Sequence, residues 1–342
     1  MTMTTRSAVI TGLGKALPRR KVSNDDLSQW VDTSDEWIRS HTGIENRYLV
    51  SGDESCSSLA IEASRAALKN AGIDPEDIGM VVAATSTPDY KSFPSTASLI
   101  QEGLGIPAAG AFDLAAACSG FAYGLETARS FINAGSCDHV LVVGAEVLSS
   151  IVNWKDRNTC VLFGDGAGAA VVSVSSASVS STEEERGLQF SRMRSEGSGW
   201  DALIVKAGGS RFPLTSESIE KVENPGDLYL AMDGRRVYEF AVRVICETIT
   251  ELMDTAGISK DELDWIVPHQ ANYRIIQAAS KRLGIPLNRF FMNVQHYGNT
   301  SAATIPMALH DMSEQNLLKK DQKIITVGFG GGLSYGGNYI VW

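Results

Sequence analysis

Short apolar runs alternate along this chain with longer stretches in which apolar positions recur at helical spacing. Met80-Val81-Val82-Ala83-Ala84, His139-Val140-Leu141-Val142-Val143-Gly144, Trp265-Ile266-Val267 and Lys323-Ile324-Ile325-Thr326-Val327-Gly328 are continuous rather than alternating. Such runs predict strands buried on both faces, as in parallel α/β sheets, because a strand with one wet face would alternate. The helical spacing predicts helices over 59–70, 96–104, 120–134, 237–256, 273–283 and 302–315. Strands and helices in alternation predict the α/β class.

The pattern also repeats. Ala71-Gly72-Ile73-Asp74-Pro75-Glu76-Asp77-Ile78 recurs as Ala256-Gly257-Ile258-Ser259-Lys260-Asp261-Glu262-Leu263, each copy running into a predicted strand. Leu104-Gly105-Ile106-Pro107 recurs as Leu283-Gly284-Ile285-Pro286, and Val142-Val143-Gly144 as Thr326-Val327-Gly328. The matches are collinear and about 180 residues apart, which predicts two homologous halves, 1–185 and 186–342. A length of 342 residues suits two units. The stretch 173–185 is Ser-rich and then acidic, as a surface connection would be. Halves related in this way bury a pseudo-twofold interface, where ligands tend to bind.

Composition narrows the function. With 44% hydrophobic and 20% charged residues the chain can bury a core. Thirty Lys and Arg against forty Asp and Glu leave a net charge of −10, which argues against a nucleic-acid partner. No apolar run is long enough to span a membrane, and residues 1–20 lack a secretory h-region. Five scattered cysteines without C-x-x-C or Cys/His spacing predict a cytoplasmic, reduced, metal-free protein.

Three residues are candidates for chemistry. Cys118 follows Ala115-Ala116-Ala117 and precedes a predicted helix. A cysteine on a strand-to-helix turn holds its sulfur at a helix N-terminus, where the dipole favours thiolate; a small cysteine among alanines also reads as a core residue. His269, in Pro268-His269-Gln270-Ala271-Asn272, lies just past a predicted strand, where active groups of α/β sheets gather, although a lone histidine there is often structural. Asn299, in His296-Tyr297-Gly298-Asn299-Thr300-Ser301, reads as a helix N-cap. The repeat adds a second reading: position 297 becomes the counterpart of Cys118, so the loops carrying Cys118 and Asn299 should converge on one site. His41, His139, His296 and His310 have less distinctive settings. The run Phe329-Gly330-Gly331-Gly332-Leu333-Ser334 has no room for a βαβ unit and no acidic ribose ligand after it. It fits glycines that let backbone N–H groups reach a substrate oxygen. Phe163-Gly164-Asp165-Gly166-Ala167-Gly168 reads as a tight structural turn.

Cys118, His269 in Pro-His-Gln-Ala-Asn, Asn299 in Tyr-Gly-Asn-Thr-Ser and Phe329-Gly-Gly-Gly occur in an order that resembles the β-ketoacyl-acyl carrier protein synthase III family. Asp32-Thr33-Ser34-Asp35-Glu36-Trp37-Ile38 and Phe163-Gly-Asp-Gly-Ala-Gly belong to the same pattern, and the resemblance spans essentially the whole chain. These are thiolase-like condensing enzymes that initiate type II fatty acid synthesis. The resemblance implies a five-layered αβαβα fold built from two similar halves, and a homodimer. It implies decarboxylative Claisen condensation of a primer, acetyl-CoA or another short acyl-CoA, with malonyl-acyl carrier protein. No cofactor or metal is implied, CoA thioester being a substrate. By motif, Cys118 accepts the acyl group, His269 and Asn299 stabilise the enolate formed as CO₂ leaves, and the N–H groups of Cys118 and Gly331 form the oxyanion hole. The chemistry agrees: a thiolate is both nucleophile and leaving group, and two neutral donors can hold a developing oxyanion.

The resemblance also implies a CoA path through Trp37, His41, Arg157 and Asn272, with Trp37 and Arg157 sandwiching the adenine. His41 stands before Thr42-Gly43-Ile44 where the family usually has Arg or Lys, so a permanent charge is lost. Phe163, Leu230, Met232, Tyr238 and Phe329 resemble the acyl pocket, with Phe93 reaching across the dimer into the partner's pocket. Arg274, Lys281 and Arg282 share a helix face that suits an acidic carrier protein, or is simply a solvated basic face. The alternatives are a specialised secondary-metabolite ketosynthase, an acyltransferase of the same superfamily, a cysteine hydrolase, and a silent carrier-binding scaffold.

Overall fold

The computed structural model describes residues 6–175, 186–220, 222 and 224–342. Most of the expected 173–185 connection, and with it the boundary between the halves, lies outside the described residues. One sheet contains β1 (Ser7–Ala16), β2 (Met80–Ala84), β3 (Gly110–Leu114), β4 (His139–Glu146) and β5 (Gly166–Ser175), in the order β1-β5-β4-β2-β3. The other contains β6 (Gly187–Ser195), β7 (Trp265–Pro268), β8 (Lys323–Gly330) and β9 (Ser334–Val341), in the order β7-β8-β9-β6. In the first sheet β2 runs parallel to β3 and β4, while β4–β5 and β5–β1 are antiparallel. In the second β7–β8 is parallel, and β8–β9 and β9–β6 are antiparallel. The second sheet therefore repeats four strands of the first in order and in sense.

The principal helices are α1 (Asp35–Thr42), α2 (Cys56–Ala71), α3 (Thr96–Leu104), α4 (Gly120–Asn133), α5 (Gly234–Ala256), α6 (Tyr273–Leu283) and α7 (Thr304–Glu314). Five of them stop for one reason, α1 at Gly43 with φ of +79°. Gly72, Gly105, Gly257 and Gly284 end α2, α3, α5 and α6 at φ of +66°, +70°, +66° and +64°, a left-handed cap that favours glycine. These are the glycines of the repeated Ala-Gly-Ile and Leu-Gly-Ile-Pro motifs.

β2, β4, β7 and β8 bury both faces, as their unbroken apolar runs require. Val81, Val143 and Val171 face α2 and α3 through Leu59, Ala63, Ala67 and Ile100. Val82, Val142 and Val172 turn the other way, onto Phe121 and Leu125 of α4 and Ile305 and Leu309 of α7, which also meet Val267, Ile324 and Ile340 of the second sheet. Ile266, Ile325 and Val327 face α5 and α6 through Val244, Ile245 and Ile276. The layers therefore run helix, sheet, helix, sheet, helix.

The halves interlock at two short turns. A Cβ on Gly328 of β8 would lie 2.8 Å from Ser119 Cα, and one on Gly144 of β4 would lie 2.3 Å from Ala302 O. These are the glycines of the repeated Val-Val-Gly and Thr-Val-Gly triplets, and their missing side chains let each sheet touch a turn of the other. The turns are single 3₁₀ turns, Ala117–Ser119 before α4 and Ser301–Ala303 before α7. Each opens on a non-glycine residue with positive φ, Ala117 at +44° and Ser301 at +49°. Matching the turns places Cys118 opposite Ala302, which corrects the expected counterpart, Tyr297. The error came from an offset taken at the Leu-Gly-Ile-Pro helix ends rather than at the turns.

Candidate active site

Cys118 lies inside the first turn, with its sulfur at the start of α4, and is only 6% exposed. Burial pushes its thiol up to about 12; a hydrogen bond from Ser301 acts in the opposite sense and the Glu146 carboxylate adds to the rise. The thiolate expected from the helix N-terminus is thus outweighed by desolvation in the free protein. His269 follows the end of β7, its backbone N–H donating to Val327 O at 2.7 Å. Its Nδ1 lies 2.7 Å from Thr304 Oγ1 and its ring stands edge-on to Phe329 at 5.0 Å. Burial lowers its pKa to about 3, so the imidazole is neutral.

Asn299 is held by its backbone, which donates to Leu162 O at 2.8 Å and accepts from Gly164 N–H at 3.0 Å. Its side-chain Oδ1 accepts the Ser301 N–H at 2.8 Å. That bond leads into the 3₁₀ turn and does not cap α7, whose N-cap is Ala303. It leaves the amide nitrogen for the cavity. Glu146, which the sequence reading missed, is fully buried beside this turn and accepts from Ser301 Oγ at 2.8 Å and Thr87 Oγ1 at 2.7 Å.

Cys118, His269 and Asn299 line one cavity of about 120 Å³ together with Asn272 and a largely apolar wall. Of the expected pocket residues, Phe163, Met232, Tyr238 and Phe329 line it. Leu230 does not; it packs with Trp37 and Val152 in a neighbouring cluster. Phe93 is 84% exposed on this chain. Leu162, Leu203, Val237, Phe240 and Ile275 were missed. Val237 and Phe240, three apart on α5, carried a readable signal, whereas Leu203 is brought in only by the short ribbon pairing Leu203–Val205 with Leu230–Met232. Gly330 was also missed: a Cβ there would lie 2.9 Å from both Cβ and N of Cys118. Gly331 sits beside the same turn, its added Cβ 3.6 Å from that of Ala117.

On α1, the Arg157 guanidinium lies 4.6 Å over the Trp37 ring and the His41 ring stacks on Trp37 at 4.4 Å. The expected adenine slot is therefore closed, with Arg157 directly on Trp37, and His41 supplies a ring where the family usually has a charge. Asn272 Nδ2 donates to His41 O at 3.2 Å, while its Oδ1 caps α6. Arg274, Lys281 and Arg282 are all exposed, with Arg274 Nε donating to Ser40 O at 3.0 Å. Arg282 also borders a groove with Glu247, Glu251 and Asp254 of α5. Among the described residues no cluster of His, Cys, Asp or Glu could hold a metal ion, and no helix is long and apolar enough to cross a membrane.

Two sheets of matching topology, meeting where a cysteine, a neutral histidine and an asparagine amide share one cavity, define a thiolase-like condensing enzyme. Residues 112–197 match the model of 3-oxoacyl-[acyl-carrier-protein] synthase III, and residues 253–342 match that of its C-terminal part. The chain is 45% identical over 336 residues to the β-ketoacyl-[acyl-carrier-protein] synthase III of Caldanaerobacter subterraneus subsp. tengcongensis, covering 98% of each. The crystal structure of 3-oxoacyl-[acyl-carrier-protein] synthase III from Aquifex aeolicus superposes with a TM-score of 0.86 at 40% identity, covering 98% of this chain and 100% of that one. The priming β-ketosynthase of the R1128 polyketide pathway superposes with a TM-score of 0.87 at 34% identity, covering 100% and 98%. The chain belongs to the β-ketoacyl-[acyl-carrier-protein] synthase III family.

Proposed function

We propose that this protein condenses a short acyl-CoA, acetyl-CoA or a close homologue, with malonyl-acyl carrier protein to begin type II fatty acid synthesis. The observation that carries the reading is the convergence of Cys118, His269 and Asn299 on one cavity with an apolar wall. Cys118 sulfur attacks the acyl-CoA carbonyl, and its N–H and that of Gly331 hold the oxyanion. The C–S bond to CoA breaks, CoA leaves as the thiol with the proton Cys118 gave up, and the acyl group stays on sulfur. Malonyl-acyl carrier protein follows, its thioester oxygen between the His269 and Asn299 N–H groups. Loss of CO₂ leaves an enolate stabilised by both donors. Its carbon attacks the acyl-cysteine, forming the new C–C bond and expelling the Cys118 thiolate. A neutral histidine suits this role, since an imidazolium would give up its proton to the enolate rather than only hydrogen-bond to it. No step requires a cofactor.

CoA would enter past Trp37, His41, Arg157 and Asn272, with Arg157 lifting off Trp37 to admit the adenine. Arg274, Lys281 and Arg282 would receive the acidic carrier protein, and Phe93, open to solvent, would complete the pocket of the partner in a homodimer. We read residues 1–185 and 186–342 as the two halves, and the protein as cytoplasmic, where free cysteines persist. The second reading, priming of a specialised pathway, draws on the similarity to the R1128 enzyme. Intact-mass measurement with a panel of short acyl-CoAs, followed by malonyl-acyl carrier protein, tests both. Acylation lost in Cys118→Ala and discharged as 3-oxoacyl-carrier supports the proposal, and the preferred primer separates the two pathways. Discharge as free acid, or transfer without CO₂ loss, refutes it.

A further inference from the structure

We propose that Thr304 is a positioning residue that sets the tautomer of His269, so that the imidazole presents Nε2–H to the cavity. Because burial keeps His269 neutral, only one ring nitrogen carries a proton, and which one decides whether the ring can donate to a substrate oxygen at all. Nδ1 is committed to Thr304 Oγ1 at 2.7 Å, which leaves Nε2 as the nitrogen available to the cavity. The tautomer therefore follows from the direction of one hydroxyl proton.

That hydroxyl has two acceptors in reach, His269 Nδ1 and Ser301 O at 2.9 Å. Ser301 O already accepts the backbone N–H of Thr304, which closes the 3₁₀ turn, so it does not need the hydroxyl. Nδ1 lies in a buried setting with Thr304 as its hydrogen-bonding partner. With the proton directed to Nδ1, the neutral ring is protonated at Nε2. The same turn orients Asn299, because Ser301 N–H holds its Oδ1 and turns the amide nitrogen outward. One strained turn thus orients both donors on one cavity.

The assignment rests on the proposed reaction, and its test separates the two. Malonyl-carrier decarboxylation by pre-acylated enzyme and acylation of Cys118 are measured separately in wild type, His269→Ala, Thr304→Val and Thr304→Ser. Thr304→Val should acylate at the wild-type rate yet decarboxylate about ten- to a hundredfold more slowly, by analogy with the loss on removing the partner that orients a metal-bound histidine. Thr304→Ser should restore the rate. In protein labelled with ¹⁵N-histidine, wild type should show His269 protonated at Nε2 and bare at Nδ1, and Thr304→Val should lose that preference. Wild-type decarboxylation in Thr304→Val, or a proton on Nδ1 in the wild type, overturns the assignment. Undiminished decarboxylation in His269→Ala overturns the proposed reaction and the assignment with it.

Discussion

Adding one methyl group at Gly330 should disable acylation, while the same change one residue later should do little. Gly330 is extended, with φ of −178°, so alanine fits its backbone and only space decides the outcome. Its new Cβ would lie 2.9 Å from Cys118 Cβ, 2.9 Å from Cys118 N and 3.0 Å from the sulfur. Carbon contacts are favourable from about 3.5 Å, so β8 and the Cys118 turn must part by roughly 0.6 Å. Overpacking of this kind costs about 1–3 kcal/mol of stability. The kinetic cost is larger in proportion: a misplacement of about 1 Å can cost a hundredfold, so a shift of this size should slow acylation at least tenfold. At Gly331 the closest atoms to an added Cβ are 3.6 Å away, an ordinary contact, and the backbone N–H is retained. Rapid-quench intact-mass measurement of acyl-enzyme formation, alongside denaturant midpoints, compares Gly330→Ala with Gly331→Ala. Wild-type acylation in Gly330→Ala, or equal impairment in both variants, would show that close packing of β8 on the turn does not position the nucleophile.

Three further outcomes follow from the electrostatics. A histidine held at about 3 is neutral above that pH, so decarboxylation by pre-acylated enzyme should stay level between about pH 5 and pH 8, and an inflection near the ordinary histidine value would contradict it. With the Cys118 thiol near 12, iodoacetamide labelling should climb about tenfold per pH unit through the alkaline range, and a plateau below about pH 9 would show that the helix terminus outweighs burial. Burial raises the Asp311 carboxyl, but the nearby His310 ring, 3.7 Å away, and hydrogen bonds from Lys15 and Asn293 together prevail and hold it at about 2, below its ordinary 3.8. The unfolded chain therefore binds more protons between those values. The stability this cluster confers is present above about pH 4 and lost as pH falls toward 2, and urea midpoints in Asp311→Asn should decline less over that window.

What was legible in the chain was the part governed by repetition and burial. The continuous apolar runs became β2, β4, β7 and β8 because each is covered on both faces, and the glycine repeats were visible because a left-handed helix end favours that residue. β1 and β9 were harder to read: Gly12 and Gly14 interrupt the first and Gly336 and Gly337 the second, and those glycines are there because the neighbouring backbone comes too close for a Cβ. Cys118, His269 and Asn299 stood out through their settings, but their protonation states did not, because these depend on desolvation by residues distant in sequence. Glu146 and Thr304 were not noticed at all. A glutamate at the end of a strand and a threonine in a helix look ordinary until folding puts Ser301 between them.

Ser301 also shows why a duplicated fold makes one site rather than two. The two turns are equivalent in backbone, each strained at its first residue and each closed against a glycine of the opposite sheet. Their side chains have divided the work. The first turn carries a sulfur with small neighbours, so that substrate can approach it. The second carries no nucleophile at the matching position, Ala302, and instead uses Ser301 and Thr304 to bind Asn299, His269 and Glu146. The proposed nucleophile and donors thus sit on opposite sides of the pseudo-twofold interface, each turn braced by the other half's central strand. A shift of one half relative to the other would separate sulfur from donors, so the glycine contacts that lock the halves together also fix the distance across which the new carbon–carbon bond must form.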